Sequence, residues 1–214
     1  LTAAVDGEGT TVGDIDRDGD LDVVQNGYWL QNPLPGGNPL TGSAWTKRTI
    51  KSGWPIDVGV ATGDINNDGR LDVVLAHAES TGFMVWYEAP VDAVNGTWVE
   101  HMIDTSVDYA HTFKTADING DGQLDVVFAE MQQSSRKRVG FYLNGGGGLS
   151  WQLQVLATTG SHNIRVADFG NDGDIDIVGA NWQGSPIAWW QNLGGVPSDT
   201  TRPTITSVTT SSAN

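Results

Sequence analysis

Four copies of one acidic nonapeptide occur along the chain, and their spacing constrains the fold more than any other feature. The first aspartates of the copies, Asp14, Asp64, Asp117 and Asp168, lie 50, 53 and 51 residues apart. A fixed period of this length indicates that one supersecondary unit is repeated. Within each copy, oxygen-bearing side chains alternate with other residues and are followed by a Gly and a final Asp. Such oxygens can converge on calcium, which takes about six to eight oxygen ligands at flexible angles.

The negative charge of the chain is concentrated in these nonapeptides. The 214-residue sequence has a net charge of −15, and 15 of its 26 acidic residues lie in the four copies. Because Lys and Arg number only 11 and form no basic stripe, we expect no nucleic-acid partner. The absence of cysteine excludes disulfides and thiolate metal sites. No apolar run has the length of a membrane span, so membrane insertion is not expected. No signal peptide is visible, which is typical of a mature or trimmed chain.

Each repeat predicts four short strands. In the second unit they are residues 58–63, 71–76, 83–87 and 98–103, separated by turn-forming Gly, Pro, Asn and Asp. Helical periodicity of useful length is missing. Four strands in about 50 residues are typical of a propeller blade. We therefore predict an all-β chain, a β-propeller of four blades with a calcium loop between the first two strands of each blade.

Aromatic residues recur at two positions of the repeat. The third strand carries Trp29, Trp86, Phe141 and Trp189, and the fourth carries Trp45, Trp98 and Trp151. One blade cannot bury its own face alone, so these columns predict packing between neighbouring blades and are poor candidates for ligand contacts.

The two ends of the array leave its closure open. Residues 1–5 match the tail of a fourth strand, and the last unit ends after its third strand. Three alternatives follow: a closed four-bladed ring, a piece of a larger propeller, or two chains that associate to complete one propeller. We place the propeller at residues 1–195. Residues 196–214, rich in Ser, Thr and Pro, are predicted to be a linker and the possible start of an immunoglobulin-like module.

The motif Asp-x-[Asp/Asn]-x-Asp-Gly-x-x-Asp, followed by Val-Val or Ile-Val, resembles the FG-GAP/VCBS repeats of β-propellers such as integrin α-subunit heads, a fungal lectin and several bacterial polysaccharide lyases. The resemblance implies three to four structural calcium ions, bound in the loops between the first two strands of each blade. Gly19, Gly69, Gly122 and Gly173 would permit the sharp turn in each loop.

The calcium ligands implied by the resemblance fall at positions one, three, five, seven and nine of each nonapeptide, position seven through its backbone carbonyl. They are Asp14, Asp16, Asp18, Asp20 and Asp22; Asp64, Asn66, Asp68, Arg70 and Asp72; Asp117, Asn119, Asp121, Gln123 and Asp125; and Asp168, Asp172, Asp174 and Asp176. Gly170 replaces the third ligand of the last loop, so we expect a water there and the weakest site.

Other calcium motifs fit less well. An EF-hand needs Glu at its twelfth position and flanking helices, whereas Gln25 or Leu75 stands there and the flanks predict strands. Dockerin-type modules are also helical. The alternative is that the nonapeptides are acidic turns that bind no metal.

The face opposite the calcium loops is predicted to hold the ligand site. The residues proposed to contact a ligand are Trp54, Trp182, His77, Glu130 and Asn181. The two Trp residues stand outside the aromatic columns, and an exposed Trp beside Asn, Asp or His suits sugar binding. Ordinary loop residues packed against their neighbours are the alternative.

Three residues near the predicted central opening are candidates for catalysis. Glu8, His111 and His162 each lie six residues before the first aspartate of their unit. Such a column could hold a transition metal or act as acid and base. Tyr109, His111 or His162 could serve as the base of a polysaccharide lyase, but no catalytic motif is assigned.

These observations predict a secreted or cell-surface protein, of bacterial type, that binds calcium and acts in adhesion. We expect it to be a binding module for a glycan or a cell-surface protein. One alternative is a lyase or hydrolase acting on acidic polysaccharide, and another is a structural spacer in a large surface adhesin.

Overall fold

The computed structural model describes residues 8–41, 44–181, 187–194 and 207–211. These residues form strands in four antiparallel sheets, and no helix occurs among them. Accordingly, the described part of the chain has no helix that is long and apolar enough to span a membrane. The predicted all-β class is confirmed.

Each sheet consists of four strands that are consecutive along the chain. The first sheet contains β1 (Thr10–Gly13), β2 (Asp22–Gln25), β3 (Tyr28–Gln31) and β4 (Thr46–Thr49). The second contains β5 (Val58–Gly63), β6 (Asp72–His77), β7 (Thr81–Glu88) and β8 (Val99–Asp108). The third contains β9 (Thr112–Ala116), β10 (Asp125–Ala129), β11 (Val139–Asn144) and β12 (Trp151–Ala157). The fourth contains β13 (Asn163–Ala167), β14 (Asp176–Ala180), β15 (Ile187–Gln191) and β16 (Ser207–Ser211).

The acidic nonapeptides occupy the same place in every sheet. Each begins directly after the first strand and ends on the first residue of the second strand, as Asp72 does in β6. The first strands lie side by side in the order β1, β5, β9 and β13. The four acidic loops therefore emerge from one end of these adjacent strands.

Three apolar clusters lie between consecutive sheets. Trp29 of β3 packs with Val58 of β5 in the first cluster. Trp86 of β7 packs with Phe128 of β10 in the second, and Phe141 of β11 packs with Ile164 of β13 in the third. The third-strand residues Trp29, Trp86 and Phe141 are fully buried. The predicted packing of the third-strand column between neighbouring sheets is therefore confirmed for these three residues, whereas Trp189 of the fourth sheet is only partly buried.

The fourth sheet extends beyond the boundary predicted at residue 195. Strand β16, in the segment predicted to be a linker, pairs with β15 along Ile187↔Ser211 to Gln191↔Ser207. Its sequence, Ser-Val-Thr-Thr-Ser, is rich in β-branched residues that suit a strand. Residues 1–5, proposed as an alternative fourth strand, lie outside the described residues.

Candidate functional sites: the acidic loops and the opposite rim

The four acidic loops share one backbone conformation. The sixth residue of each loop has a positive φ, at 98° in Gly19, 83° in Gly69, 84° in Gly122 and 94° in Gly173. This left-handed conformation costs glycine little, so the predicted turn role of these residues is confirmed. The fourth residue also has a positive φ in every loop; the residues are Arg17, Asn67, Gly120 and Asn171.

The first aspartate of each loop holds the turn closed. Asp64 accepts hydrogen bonds from the backbone N–H groups of Asp68 and Gly69, each at 2.9 Å. The glycine N–H donates in the same way to Asp14, Asp117 and Asp168 at 2.9–3.1 Å. The loops therefore fold around their own carboxylates, which lie on the inner side of the turn.

The ninth aspartate is buried and accepts backbone N–H groups on both carboxylate oxygens. Asp72 accepts from Ile65 at 2.9 Å and from Ala89 at 2.8 Å. Asp22, Asp125 and Asp176 accept from the equivalent residues. These carboxylates tie the loop to the start of the second strand and to the end of the third. A calcium ion would use their second lone pairs.

Burial also changes the acidity of the ninth aspartates of the first three loops. It raises the pKa of Asp22 to about 6 and the pKa values of Asp72 and Asp125 to about 7, because desolvation outweighs the two N–H bonds. The neighbouring aspartates of the same loop raise these pKa values further. A cation in the loop would relieve both effects.

The first loop fits a cation best. One carboxylate oxygen from each of Asp14, Asp16 and Asp18 lies within 4.8 Å of the others. The Oδ1 atoms of Asp14, Asp16 and Asp20 are buried and accept no hydrogen bond from the described residues. A buried carboxylate oxygen without a donor is costly, and a hard divalent cation is the partner that this donor set favours.

The second and fourth loops differ from the first. In the second, the Arg70 guanidinium pairs with Asp68 and its Nε donates to the carbonyl of Ala89 at 2.6 Å. The sequence predicted only a backbone role for Arg70, so this side-chain contact was missed. In the fourth loop, Gly170 donates its N–H to Asp176 at 2.9 Å and offers no side-chain ligand.

On the rim opposite the acidic loops, the connections of adjacent sheets interlock through their backbones. Tyr109 donates its N–H to Ser80 at 3.0 Å and accepts from Met131 at 3.0 Å. Ser161 in turn donates to the carbonyl of Glu130 at 3.0 Å. The contacts recorded for Tyr109, a predicted base, are thus those of its backbone.

Glu130, a predicted ligand contact, is fully buried and belongs to the structure of this rim. Its Oε1 accepts from Arg136 at 2.9 Å and from Arg138 at 2.7 Å. Its Oε2 accepts from Ser134 and from the backbone of Arg138. A carboxylate enclosed in this way cannot reach a ligand, because its oxygens already bind four partners. The sequence could not distinguish it from an exposed loop residue.

An aromatic pocket lies between the first and second sheets. Trp54 contacts His77 and Phe83, with ring centroids 5.4 and 5.1 Å apart. The cavity has a volume of about 260 Å³, and its walls also include Lys51, Tyr87 and Glu100. Of the predicted ligand residues, the structure brings Trp54 and His77 together here.

A chain of polar contacts fixes the indole of Trp54. Its Nε1–H donates to the hydroxyl of Tyr87 at 3.0 Å, and this hydroxyl donates to Glu100 at 2.8 Å. Burial, and then the bond to Glu100, raise the pKa of Tyr87, so the phenol remains a donor. Lys51 lies 3.5 Å from the same carboxylate. Lys51 and Glu100 are both exposed and leave polar atoms at the mouth of the pocket.

The predicted column of Glu8, His111 and His162 is brought together beside the first strands. The two imidazole rings stack with centroids 4.0 Å apart, and His111 Nε2 lies 3.6 Å from Glu8 Oε2. They line a channel together with Lys114 and Arg165. Asn181 accepts from the N–H of His162 at 3.1 Å and so orders this loop. Trp182 lies outside the described residues.

Comparison with known proteins identifies the family. The sequence model of the FG-GAP-like repeat matches residues 64–128 and 117–179, which is more than half of the chain. The chain therefore belongs to the FG-GAP-like repeat family. No curated protein matches the sequence significantly.

The chain is similar in fold to solved structures. One of them is a lectin of Agrocybe aegerita described as specifically recognising non-reducing terminal N-acetylglucosamine. The TM-score is 0.55 at 19% sequence identity, over 88% of this chain and 50% of the lectin chain. The chain thus spans about half the length of that protein. At this identity the likeness shows the fold alone.

Proposed function

We propose that the chain is a calcium-stabilised β-propeller that binds glycans through the pocket around Trp54. The side-by-side first strands and the apolar clusters between consecutive sheets support the radial arrangement of propeller blades. Membership of the FG-GAP-like repeat family supports calcium in the acidic loops. The calcium proposal also favours a secreted or cell-surface location, as in bacterial adhesins, because calcium sites of extracellular modules work at about 0.1–1 mM calcium.

The calcium proposal assigns a role to each position of the loop. Positions one, three and five offer carboxylate or amide oxygens, position seven its backbone carbonyl, and position nine a carboxylate already fixed by two N–H groups. Bound calcium would neutralise the clustered charge of the loop and fix its turn. The three to four ions are thus structural. We propose that the fourth loop is the weakest site, since Gly170 offers no oxygen from a side chain.

The aromatic pocket carries the glycan proposal. Aromatic faces cover the apolar faces of sugar rings, while nearby polar groups bind hydroxyls. Trp54, His77 and Phe83 supply the aromatic surface, and Lys51 and Glu100 supply a donor and an acceptor at the mouth. A cavity of about 260 Å³ suits one terminal sugar better than a long oligosaccharide segment. The lectin of similar fold, which recognises a terminal sugar, makes this class of ligand a reasonable first test.

Isothermal titration with terminal N-acetylglucosamine and with uronate-terminated oligosaccharides tests the proposal. We expect Trp54→Ala to weaken binding by about 100-fold, as expected for a residue that dominates an interface, and Trp54→Phe to recover part of it. Trp151→Ala is the matched control, because Trp151 lies at the third sheet and contacts Gly148. Equal binding by wild type and Trp54→Ala would contradict the proposal.

A second function has one supporting observation. His111, His162, Lys114 and Arg165 line one channel, which places candidate bases near cations that could hold the carboxylate of an acidic sugar. A polysaccharide lyase would produce an unsaturated sugar with characteristic ultraviolet absorbance. Arg136, in contrast, is bound to Glu130 and does not line this cavity. If no product forms from uronate polysaccharides while glycan binding is intact, the lyase function is excluded and the binding function is retained.

A further inference from the structure

A cluster of three side chains that could bind a metal lies at the start of the first strands and shares no residue with the acidic loops or the Trp54 pocket. Glu8 precedes β1, His111 precedes β9, and Glu79 lies in the connection between β6 and β7. One potential ligand atom from each of the three lies within 4.8 Å of the others. Residues of three different sheets therefore converge here, although nothing in the nonapeptide repeat requires it.

The distances suit one small ion. His111 Nε2 lies 3.6 Å from Glu8 Oε2 and 3.9 Å from Glu79 Oε1. Ligand atoms placed about 2.1 Å from a tetrahedral zinc ion lie about 3.4 Å apart. Only small rotations of the two exposed Glu side chains would bring the three atoms to that spacing, and neither carboxylate is enclosed by other partners in the way that Glu130 is.

The histidine is oriented as a ligand. Its Nδ1 lies 2.8 Å from the carbonyl oxygen of His162. Because a carbonyl can only accept, Nδ1 carries the hydrogen, and in the neutral ring Nε2 then presents a lone pair to the two carboxylates. When Nε2 carries no proton, these three electron-rich atoms repel one another unless a cation lies between them. A backbone carbonyl that fixes the outer nitrogen of the ring is the usual support of a metal-bound histidine.

The geometry points to a second metal site of a different chemical class: we propose that Glu8, Glu79 and His111 bind one divalent transition-metal ion, with zinc as the best fit. A nitrogen ligand favours zinc and its neighbours, whereas calcium takes oxygen ligands. The two carboxylates balance the charge of the ion. Glu8 and His111 line the same cavity as His162 and Arg165, so a water or a ligand in that cavity could complete the coordination of the ion.

The stacked ring of His162 acts as a positioning group. It lies parallel to His111 within 25°, and its carbonyl holds the Nδ1 hydrogen. The proposal goes beyond glycan binding, because the cluster shares no residue with the aromatic pocket. Loss of either activity can therefore be measured without the other.

The test is a zinc titration of the full chain, freed of transition metals and kept in saturating calcium so that the acidic loops do not compete. We expect one zinc ion per chain, and cobalt to give the visible absorption bands of a low-symmetry site. Since loss of even an outer partner costs about 10–100-fold in metal affinity, His111→Gln should weaken zinc binding by about 100-fold. Glu79→Gln, at an exposed position, should weaken it by about tenfold.

His101→Gln is the matched control. His101 Nε2 also faces a carboxylate, that of Glu88 at 3.1 Å, but the described structure places no second carboxylate against it. It should keep wild-type zinc affinity. Melting curves recorded for every variant separate loss of folding from loss of metal, and Glu79→Gln decides the matter if His111→Gln does not fold. Equal zinc affinity in wild type and Glu79→Gln, or no zinc binding in calcium, overturns the proposal.

Discussion

The two ends of the sheets differ in how much they repeat. At one end, four loops share the same positive-φ positions and the same carboxylate-to-backbone bonds. At the other end, the Trp54 pocket, the Glu130 network and the His111 cluster are built from different residues, and the His111 cluster joins residues of three sheets. Repeated features solve a problem that every unit has, namely folding against its neighbour. Features that are not repeated are not needed to fold every unit, so they are the better candidates for binding a ligand.

Removal of calcium should have the largest effect, because it acts on every loop at once. In saturating calcium each site should add about 2 kcal/mol to the free energy of unfolding, so three or four sites add about 6–8 kcal/mol. For a chain of this size that corresponds to a melting temperature about 15–25 °C higher. Differential scanning calorimetry in calcium and in chelator measures it. Identical melting curves would contradict the proposal that calcium in the acidic loops stabilises the fold. Light scattering on the same samples reports whether two chains associate.

The aromatic column offers the next largest effect. Trp86 is fully buried between the second and third sheets, and its Nε1 donates to Gly148 at 2.9 Å. Trp86→Ala should lower the free energy of unfolding by about 3–5 kcal/mol. Trp189 has the equivalent register in the fourth sheet but is only half-buried, so Trp189→Ala should cost about 1–2 kcal/mol. Urea denaturation in calcium measures the free energy of unfolding of both variants. Equal losses in the two variants would show that the burial of the aromatic residue does not determine its contribution to stability.

The pH dependence of the melting temperature should have opposite signs in the calcium-free and the calcium-bound protein. In the folded metal-free chain, the pKa values of Asp72 and Asp125 are raised to about 7, against about 3.9 in an unfolded chain. The folded state then binds more protons between these limits, so its stability is present at low pH and is lost as pH rises through about 7. Lowering the pH from about 7.5 to 5.5 should raise the melting temperature of metal-stripped protein by about 5 °C.

With calcium bound, the same change of pH should lower the melting temperature, since protons compete with the ion for the carboxylates. Thermal melts of the two forms at both pH values make the comparison. A decrease in both forms would show that the buried aspartates do not govern the metal-free loops.

The smallest effect concerns the polar contacts of the Trp54 pocket. Glu100→Gln keeps the shape of the pocket but weakens the contact that orders Tyr87 and Trp54. We expect about tenfold weaker glycan binding, or about 1.4 kcal/mol, and a change in unfolding free energy below about 1 kcal/mol. Glu88→Gln serves as the control, because Glu88 lies at the end of β7 and pairs with His101. Equal glycan affinity in both variants would exclude Glu100 from the site.

Repetition explains why much of the fold could be predicted. The four strands of the second unit, the place of each acidic loop and the register of Trp86 and Phe141 all follow from patterns that occur several times. Strand β16 was missed because its Ser and Thr residues lie beyond the last acidic loop and match no repeat.

The single-copy sites were harder to predict. Alternation along β7 places Phe83 and Tyr87 on the side opposite Trp86. The sequence could therefore have predicted that these two residues face the first sheet, where Trp54 lies. No sequence signal places Glu79 beside His111. The two residues are 32 positions apart in the chain and come close only because their two sheets pack together. The burial of Glu130 likewise depends on two arginines that the folded chain brings around it.

A crystal structure grown with calcium, with anomalous diffraction collected to locate the ions, would show directly whether the acidic loops bind calcium. We expect anomalous peaks inside the first three acidic loops, about 2.3–2.6 Å from oxygens at positions one, three and five. We also expect a weaker peak in the fourth loop, with a water beside Gly170. Loops that keep their hydrogen bonds to Asp14, Asp64 and Asp117 but contain no anomalous peak would contradict the calcium proposal.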